Sequence, residues 1–275
     1  MPQTPPHPHP VSAQRWLEAR RRRWRALGAL LLLLTLLTWW TVSSSLLPGT
    51  DWQRMGGLHV ILVTVGRFLP PDLSLIPSLL QPALDTVLIA IIGTVLGSLV
   101  SLPVALLGAR NLAPLGRFGY LLARALMTLS RSVHEIIWAL IFVSAVGLGA
   151  FAGILALACR SVGFISKILS EAIERIDPRP IEAIQAVGGS RWQVVLHGVL
   201  PQILPITVST IIFEWDVNMN RAAVLGLVGA GGLGLAFYNQ IIASHYNGVT
   251  TVLLAILAII LIGEWVSAFL RRRMV

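Results

Sequence analysis

Apolar residues in this chain are gathered into long blocks, and that grouping leaves few ways to fold. The stretch Leu27 to Leu46 holds no charged side chain, and neither does Thr86 to Leu107. Blocks of about 20 apolar residues match the hydrocarbon thickness of a bilayer. Inside that layer every backbone N–H and C=O must be paired within the protein, so blocks of this length read as helices. The chain is therefore expected to be an all-α, polytopic membrane protein. Basic residues exceed acidic ones, 21 to 12, for a net charge of +9. A nucleic-acid partner is not expected, because the cations gather at the ends of apolar blocks with almost no aromatic interleaving; that pattern suits membrane topology and contact with anionic lipid. Cys159 is the only cysteine, which excludes an intrachain disulfide and a cysteine-based metal site.

Six spans are predicted in order. Residues 1–26 are expected to be a disordered, basic cytoplasmic tail, with His7 and His9 alternating with prolines and an arginine cluster at Arg20 to Arg23. The first span follows, and residues 27–84 hold it together with an external segment lying near the interface. Thr86 to Leu107 forms the second span, where Gly93, Gly97, Ser98 and Ser101 permit close helix approach and Pro103 is tolerated as a kink. The third is placed at Val133 to Leu148 and the fourth at Ala150 to Leu169. Arg160 lies inside the fourth, so either that helix is short or Arg160 lines a polar interior. A fifth begins at Leu200, is interrupted by Pro201 and Pro205, and gives way to a polar and glycine-rich stretch from Glu214 to Gly234. The sixth covers Val249 to Phe269. Arginines at both termini and in the loops after the second and fourth spans put both ends of the chain in the cytoplasm.

Between the fourth and fifth spans, Asp177 to Pro201 carries the signals of two short helices meeting at a glycine corner. Asp177 is an N-cap candidate, with Pro178 and Pro180 in a first turn that lacks amide partners in any case. Gly188 or Gly189 can take the left-handed conformation that ends a helix. Ser190 and Gln193 then have the spacing of a capping box.

This segment resembles the Glu-Ala-Ala loop in the membrane subunits of ATP-binding-cassette importers. Glu182, Ala183, Gly188, Leu200 and Pro201 sit at that loop's spacing, while Ile184 replaces the second alanine and Gly198 stands where isoleucine is usual. Val224 to Gly234, with Arg131 to Phe142 and Val146 to Gly149, resembles the phosphonate branch of those permeases, and the likeness runs over about residues 86–270. It implies a permease core over residues 85–275 with six transmembrane helices and a cytoplasmic coupling helix. It implies a subunit of the bacterial inner membrane that imports a phosphorus oxyanion, phosphonate or phosphite. The implied partners are a cytosolic ATPase dimer, a periplasmic binding protein and a second copy of the chain. This chain would bind no cofactor, with ATP and Mg in the partner ATPase. Ile181, Glu182, Ala183, Ile184, Val187, Gly188 and Gly189 would make the coupling contact, with Glu182 as its charge and Ile184 and Val187 as apolar anchors.

Two polar groups remain within the spans. Asp216, Asn218, Asn220 and Arg221 either line the translocation path near its external gate, together with Gly229, Gly231 and Gly232, or brace helices through a pair between Asp216 and Arg221. The phosphonate permeases place an acid, Asn and Arg at alternate positions; here Asn220 occupies the arginine's place and Arg221 follows. Gly229, Gly231 and Gly234 spell a dinucleotide fingerprint, but neither a strand before it nor an acidic residue about 20 positions later supports that use. His134 beside Glu135 reads as a helix cap, since neighbours on a helix do not face each other. Glu171 and Arg175 are spaced for an i,i+4 pair. The alternative from another class is a small membrane enzyme or channel working without an ATPase, which needs a catalytic or selectivity constellation.

Overall fold

The computed structural model describes residues 10–49, 57–112 and 115–274, and these are helical with no strand among them. The chain divides into two compact units, residues 1–63 and 64–275. In the first, helix α1 (Pro10–Thr41) continues through a π-helical turn to Gly49. The expected disordered tail is thus helical from Pro10 onward, because arginines, alanines and leucines propagate a helix well; His7 and His9 lie outside the described residues. Leu31, Leu32 and Trp39 are all exposed within this unit, and Trp39 and Trp40 lie toward the end of the apolar run, where tryptophan suits the headgroup region. Helix α2 (Leu58–Arg67) straddles the boundary between the units.

The second unit is built on α3 (Ile76–Gly108) and α6 (Ala150–Ile173). Helix α3 starts ten residues before the expected span and runs through both Pro82 and Pro103 without breaking. Its small residues pack it onto α6, as predicted. A Cβ on Gly97 would stand 2.7 Å from the Ser161 Cβ and 3.1 Å from the Ala158 carbonyl oxygen, so glycine is what permits the approach. In lipid, where burying apolar surface gains nothing, this close packing is what holds helices together.

The third span differs from expectation. Helix α4 (Gly116–Ser132) and helix α5 (Glu135–Val146) meet at a 93° bend. The 12 residues of α5 are too few for a bilayer, which takes about 20. Val133 and His134 are extended, and the His134 Nδ1 accepts the Ile136 N–H at 3.3 Å, so the histidine does cap α5. Five described helices are long and apolar enough to cross a membrane, and up to six spans are counted if the bent pair is one broken span.

The fifth span also differs. After a short helical turn and a π-helical segment (Val194–Val199), α8 runs unbroken over Leu200–Leu225, taking Pro201 in its first turn and Pro205 inside. Glu214 to Arg221 therefore lie in mid-helix. Helix α9 (Gly232–Ile242) and helix α10 (Tyr246–Met274) complete the unit. Residues Ile89, Leu157, Met219 and Leu225 form a core shared by α3, α6 and α8. Glu171 bonds backward to Lys167 at 2.5 Å in place of the expected partner Arg175, while Glu174 reaches Arg124 at 2.7 Å.

Gly97→Val is expected to drive α3 and α6 apart, a steric conflict of about 1–3 kcal/mol. Thermal unfolding in detergent should show a melting temperature several degrees lower, whereas Gly66→Ala, where nothing lies within 4 Å, leaves it unchanged.

Candidate functional site

Two sites emerge, one outside the bundle and one within it. The outer site is helix α7 (Arg179–Ala186) and the turn after it. The Asp177 carboxylate accepts the Arg179 N–H at 3.0 Å and opens the helix. At the other end Gly188, at φ 78°, donates to the Gln185 carbonyl at 3.0 Å, and Gly189 donates to the Ile184 carbonyl at 2.9 Å. These are the two bonds of a Schellman cap, which requires the left-handed residue that glycine supplies. Ser190 and Gln193 close the reciprocal capping box.

This knuckle is fastened to the bundle. Gln202 accepts the Asp177 N–H at 3.0 Å and donates to the Gly198 carbonyl at 2.6 Å. Ile181 and Ile184 turn inward, each with an atom 3.3 Å from where a Gly198 Cβ would stand. The glycine at a position where isoleucine is usual thus makes room for Ile184. Ile184 is accordingly a clamp to the bundle, whereas Glu182, Ala183 and Gly188 are exposed and Val187 is 85% exposed. Trp192, 80% exposed, is an apolar group on this surface that the sequence reading passed over.

The inner site lies where α3, α5, α6 and α8 meet. Arg221 donates from Nη1 to Glu214 at 2.9 Å and to the Asn218 Oδ1 at 3.0 Å, and its Nε lies 3.6 Å from Glu135. Glu135 in turn stands 3.7 Å from the Arg160 Nε. Ser161 donates to Glu214 at 2.9 Å; the Asn218 amide donates to Thr94 and Ser161, each at 2.9 Å. Glu214 and Asn218 are fully buried. The two carboxylates and two guanidinium groups balance, so the network carries its charges without a formal excess. Arg160 therefore does line a polar interior.

The pair between Asp216 and Arg221, one of the two readings of this group, is not among the ion pairs of the described residues. Residues seven apart on a helix return to nearly the same face, whereas residues five apart point about 140° away from each other, given 3.6 residues per turn. Arg221 thus shares a stripe with Asn218 and Glu214, not with Asp216. Asn220 is exposed, its amide reaching only the Asp216 carbonyl at 3.5 Å. Gly229, Gly231 and Gly232 are buried in a turn stapled to its neighbours: Gly149 donates to the Gly229 carbonyl at 2.9 Å, and the Leu233 N–H donates to Thr86 at 2.8 Å. Sequence reasoning missed Glu135 and Glu214 as partners. The signal was present in Arg160, a cation within a span that needs a nearby carboxylate. Among the described residues no group of three or more histidine, cysteine or carboxylate side chains is placed to hold a metal ion.

The chain is thus a helical membrane bundle with a polar core and a projecting, capped helical knuckle. Residues 97–275 match the family described as the binding-protein-dependent transport system inner membrane component, and the chain belongs to that family. Among curated relatives, the phosphite transport system permease protein PtxC of Stutzerimonas stutzeri is 40% identical over 252 residues, spanning 90% of each chain. The phosphate-import permease protein PhnE of Mycolicibacterium smegmatis is 37% identical over 210 residues, 76% of this chain and 39% of that one. The fold also matches the inward-facing MetNI methionine ABC transporter, with a TM-score of 0.65 and 22% identity over 74% of this chain and 99% of that one.

Arg221→Gln leaves Glu214 buried with only Ser161 to answer it and is expected to cost about 3–5 kcal/mol. The pair Glu214→Gln with Arg221→Gln should recover part of that loss, and Asp216→Asn should cost under about 1 kcal/mol. Melting temperatures of the three variants in detergent check the assignment; an Asp216 variant as damaged as the Arg221 variant would contradict it.

Proposed function

We propose that this chain is the permease subunit of an ATP-driven importer for a phosphorus oxyanion, phosphite or a phosphonate. It works as a homodimer with two cytosolic ATPase subunits and receives substrate from a periplasmic binding protein. Both termini and the Asp177–Pro201 knuckle face the cytoplasm, and ATP with its Mg is bound by the ATPase, not by this chain. The substrate class follows from the relatives named as phosphite permeases, one of which aligns along nine-tenths of both chains.

The observation that carries the coupling role is the exposed surface of α7. A capped helix presenting Glu182, Ala183 and Val187 to solvent, and clamped from behind by Ile181 and Ile184, is shaped to receive force from a second protein. The force has a route inward. Asp177 is bonded to Gln202, near the start of α8, and α8 carries Glu214, Asn218 and Arg221 into the bundle. ATPase closure would move α7 and α8 together and shift the inner network between two arrangements, as alternating access requires. A membrane enzyme or channel needs no such projecting clamp.

Glu182→Ala and Gly188→Asp are expected to abolish anion uptake while leaving the chain inserted and folded. Each is tested by uptake of labelled phosphite in cells and by pull-down of the ATPase. Retention of both uptake and ATPase binding in the two variants would remove the coupling role from α7.

A further inference from the structure

A basic cleft of about 350 Å³ opens along α4 and α6, lined by Arg124, Thr128, Arg131, Arg160 and Lys167 among others, with no acidic side chain in its wall. Its cations are set by spacing. Arg124 and Arg131 are seven residues apart on α4, and Arg160 and Lys167 seven apart on α6, so each pair lies along one face of its helix. The two helices run antiparallel here: Ser130 donates to the Cys159 carbonyl and accepts the Gly163 N–H at 2.8 Å, while Arg124 meets Glu174. Arg131 and Arg160 therefore share the end of the cleft nearer the bend, and Arg124 and Lys167 the end nearer the exit of α6.

Three of the four cations have carboxylates behind them. Arg124 is bonded to Glu174, Lys167 to Glu171, and Arg160 to Glu135 through its Nε. The balance is incomplete. The Arg131 side chain makes no hydrogen bond or ion pair among the described residues, and the buried Arg160 Nη1 is likewise without a partner. A face with this surplus of cations is costly against hydrocarbon, so it must meet water, an anion or another subunit. The volume exceeds that of a phosphate-sized anion and leaves room for several of its waters, each taking about 30 Å³.

We propose that this cleft is a stepping site for a tetrahedral phosphorus oxyanion. Arg131 and Arg160 hold the anion first, through planar guanidinium groups whose forked donors suit its oxygens. Lys167 and Arg124, two helical turns or about 11 Å along, take it next. The proposal rests on the permease reading above and adds to it a location within the membrane that lies away from Asp216 and the glycine turn. A bound anionic lipid headgroup presents the same phosphate chemistry, and the test separates the two.

The complete transporter, with its ATPase and binding protein, is reconstituted into vesicles of phosphatidylcholine alone and into vesicles that also contain phosphatidylglycerol. Uptake of labelled phosphite is then followed. Arg131→Gln is expected to lower the maximal uptake rate by about tenfold in both vesicle types, as losing one charge-assisted contact in transit would, and Arg131→Lys to restore most of it. Uptake by Arg131→Gln within twofold of the parent in both vesicle types overturns the proposal. So does an effect confined to vesicles with phosphatidylglycerol, which assigns the cations to lipid. If Arg131→Gln fails to assemble, Lys167→Gln is judged by the same criteria. A parent transporter that carries neither phosphite nor any phosphonate refutes the permease reading itself, an outcome distinct from normal uptake in the variant.

Discussion

An ionised side chain cannot face hydrocarbon alone, and the core of this bundle is arranged around that constraint. Glu214 is fully buried, so Arg221 and Ser161 must reach it. Arg221 also leans on Glu135, which pairs with Arg160 on another helix. Three helices are thereby tied at one point, and Asn218 adds α3 through Thr94. Such a pair adds little net stability over apolar packing, yet breaking it is expensive. The close approach of α3 and α6 at Gly97 sets the distance at which Asn218 can bridge Thr94 and Ser161.

The same helix that carries the network also anchors the knuckle. Gln202 sits near the beginning of α8 and Glu214 about three turns further in, so displacement at the knuckle has a short, helical route to the buried charges. Polar residues in the spans accordingly divide between two tasks. Those on the inward stripe of α8 brace helices, whereas of the cations along the open faces of α4 and α6 three are paired with carboxylates and Arg131 is not. This division also explains why one carboxylate, Glu135, stands between Arg160 and Arg221: it belongs to both regions.

Much of the local architecture was legible in the residues. The knuckle's start at Asp177, its stop at Gly188 and its restart at Ser190 all obey short-range hydrogen-bond rules, which act within a few residues and so leave a readable trace. The spans were legible for a similar reason, since length and apolarity alone decide whether a helix can cross. Errors came where tertiary contact outweighed a local signal. Pro205 and the polar run after Glu214 read as the end of a helix, yet α8 continues because neighbouring helices satisfy those side chains. Val133 to Leu148 read as one span, yet its helix has only 12 residues and meets α4 at a 93° bend.

The sequence by itself determined that this is a helical membrane protein with a capped knuckle between its fourth and fifth spans, because thickness, caps and turns are local matters. Which charges meet was decided only in three dimensions. Asn218 and Thr94 lie 124 residues apart, and Ser161 and Glu214 lie 53 apart. No periodicity along the chain records such a pairing; it exists only once small residues have let α3, α6 and α8 pack closely enough for their polar groups to find one another.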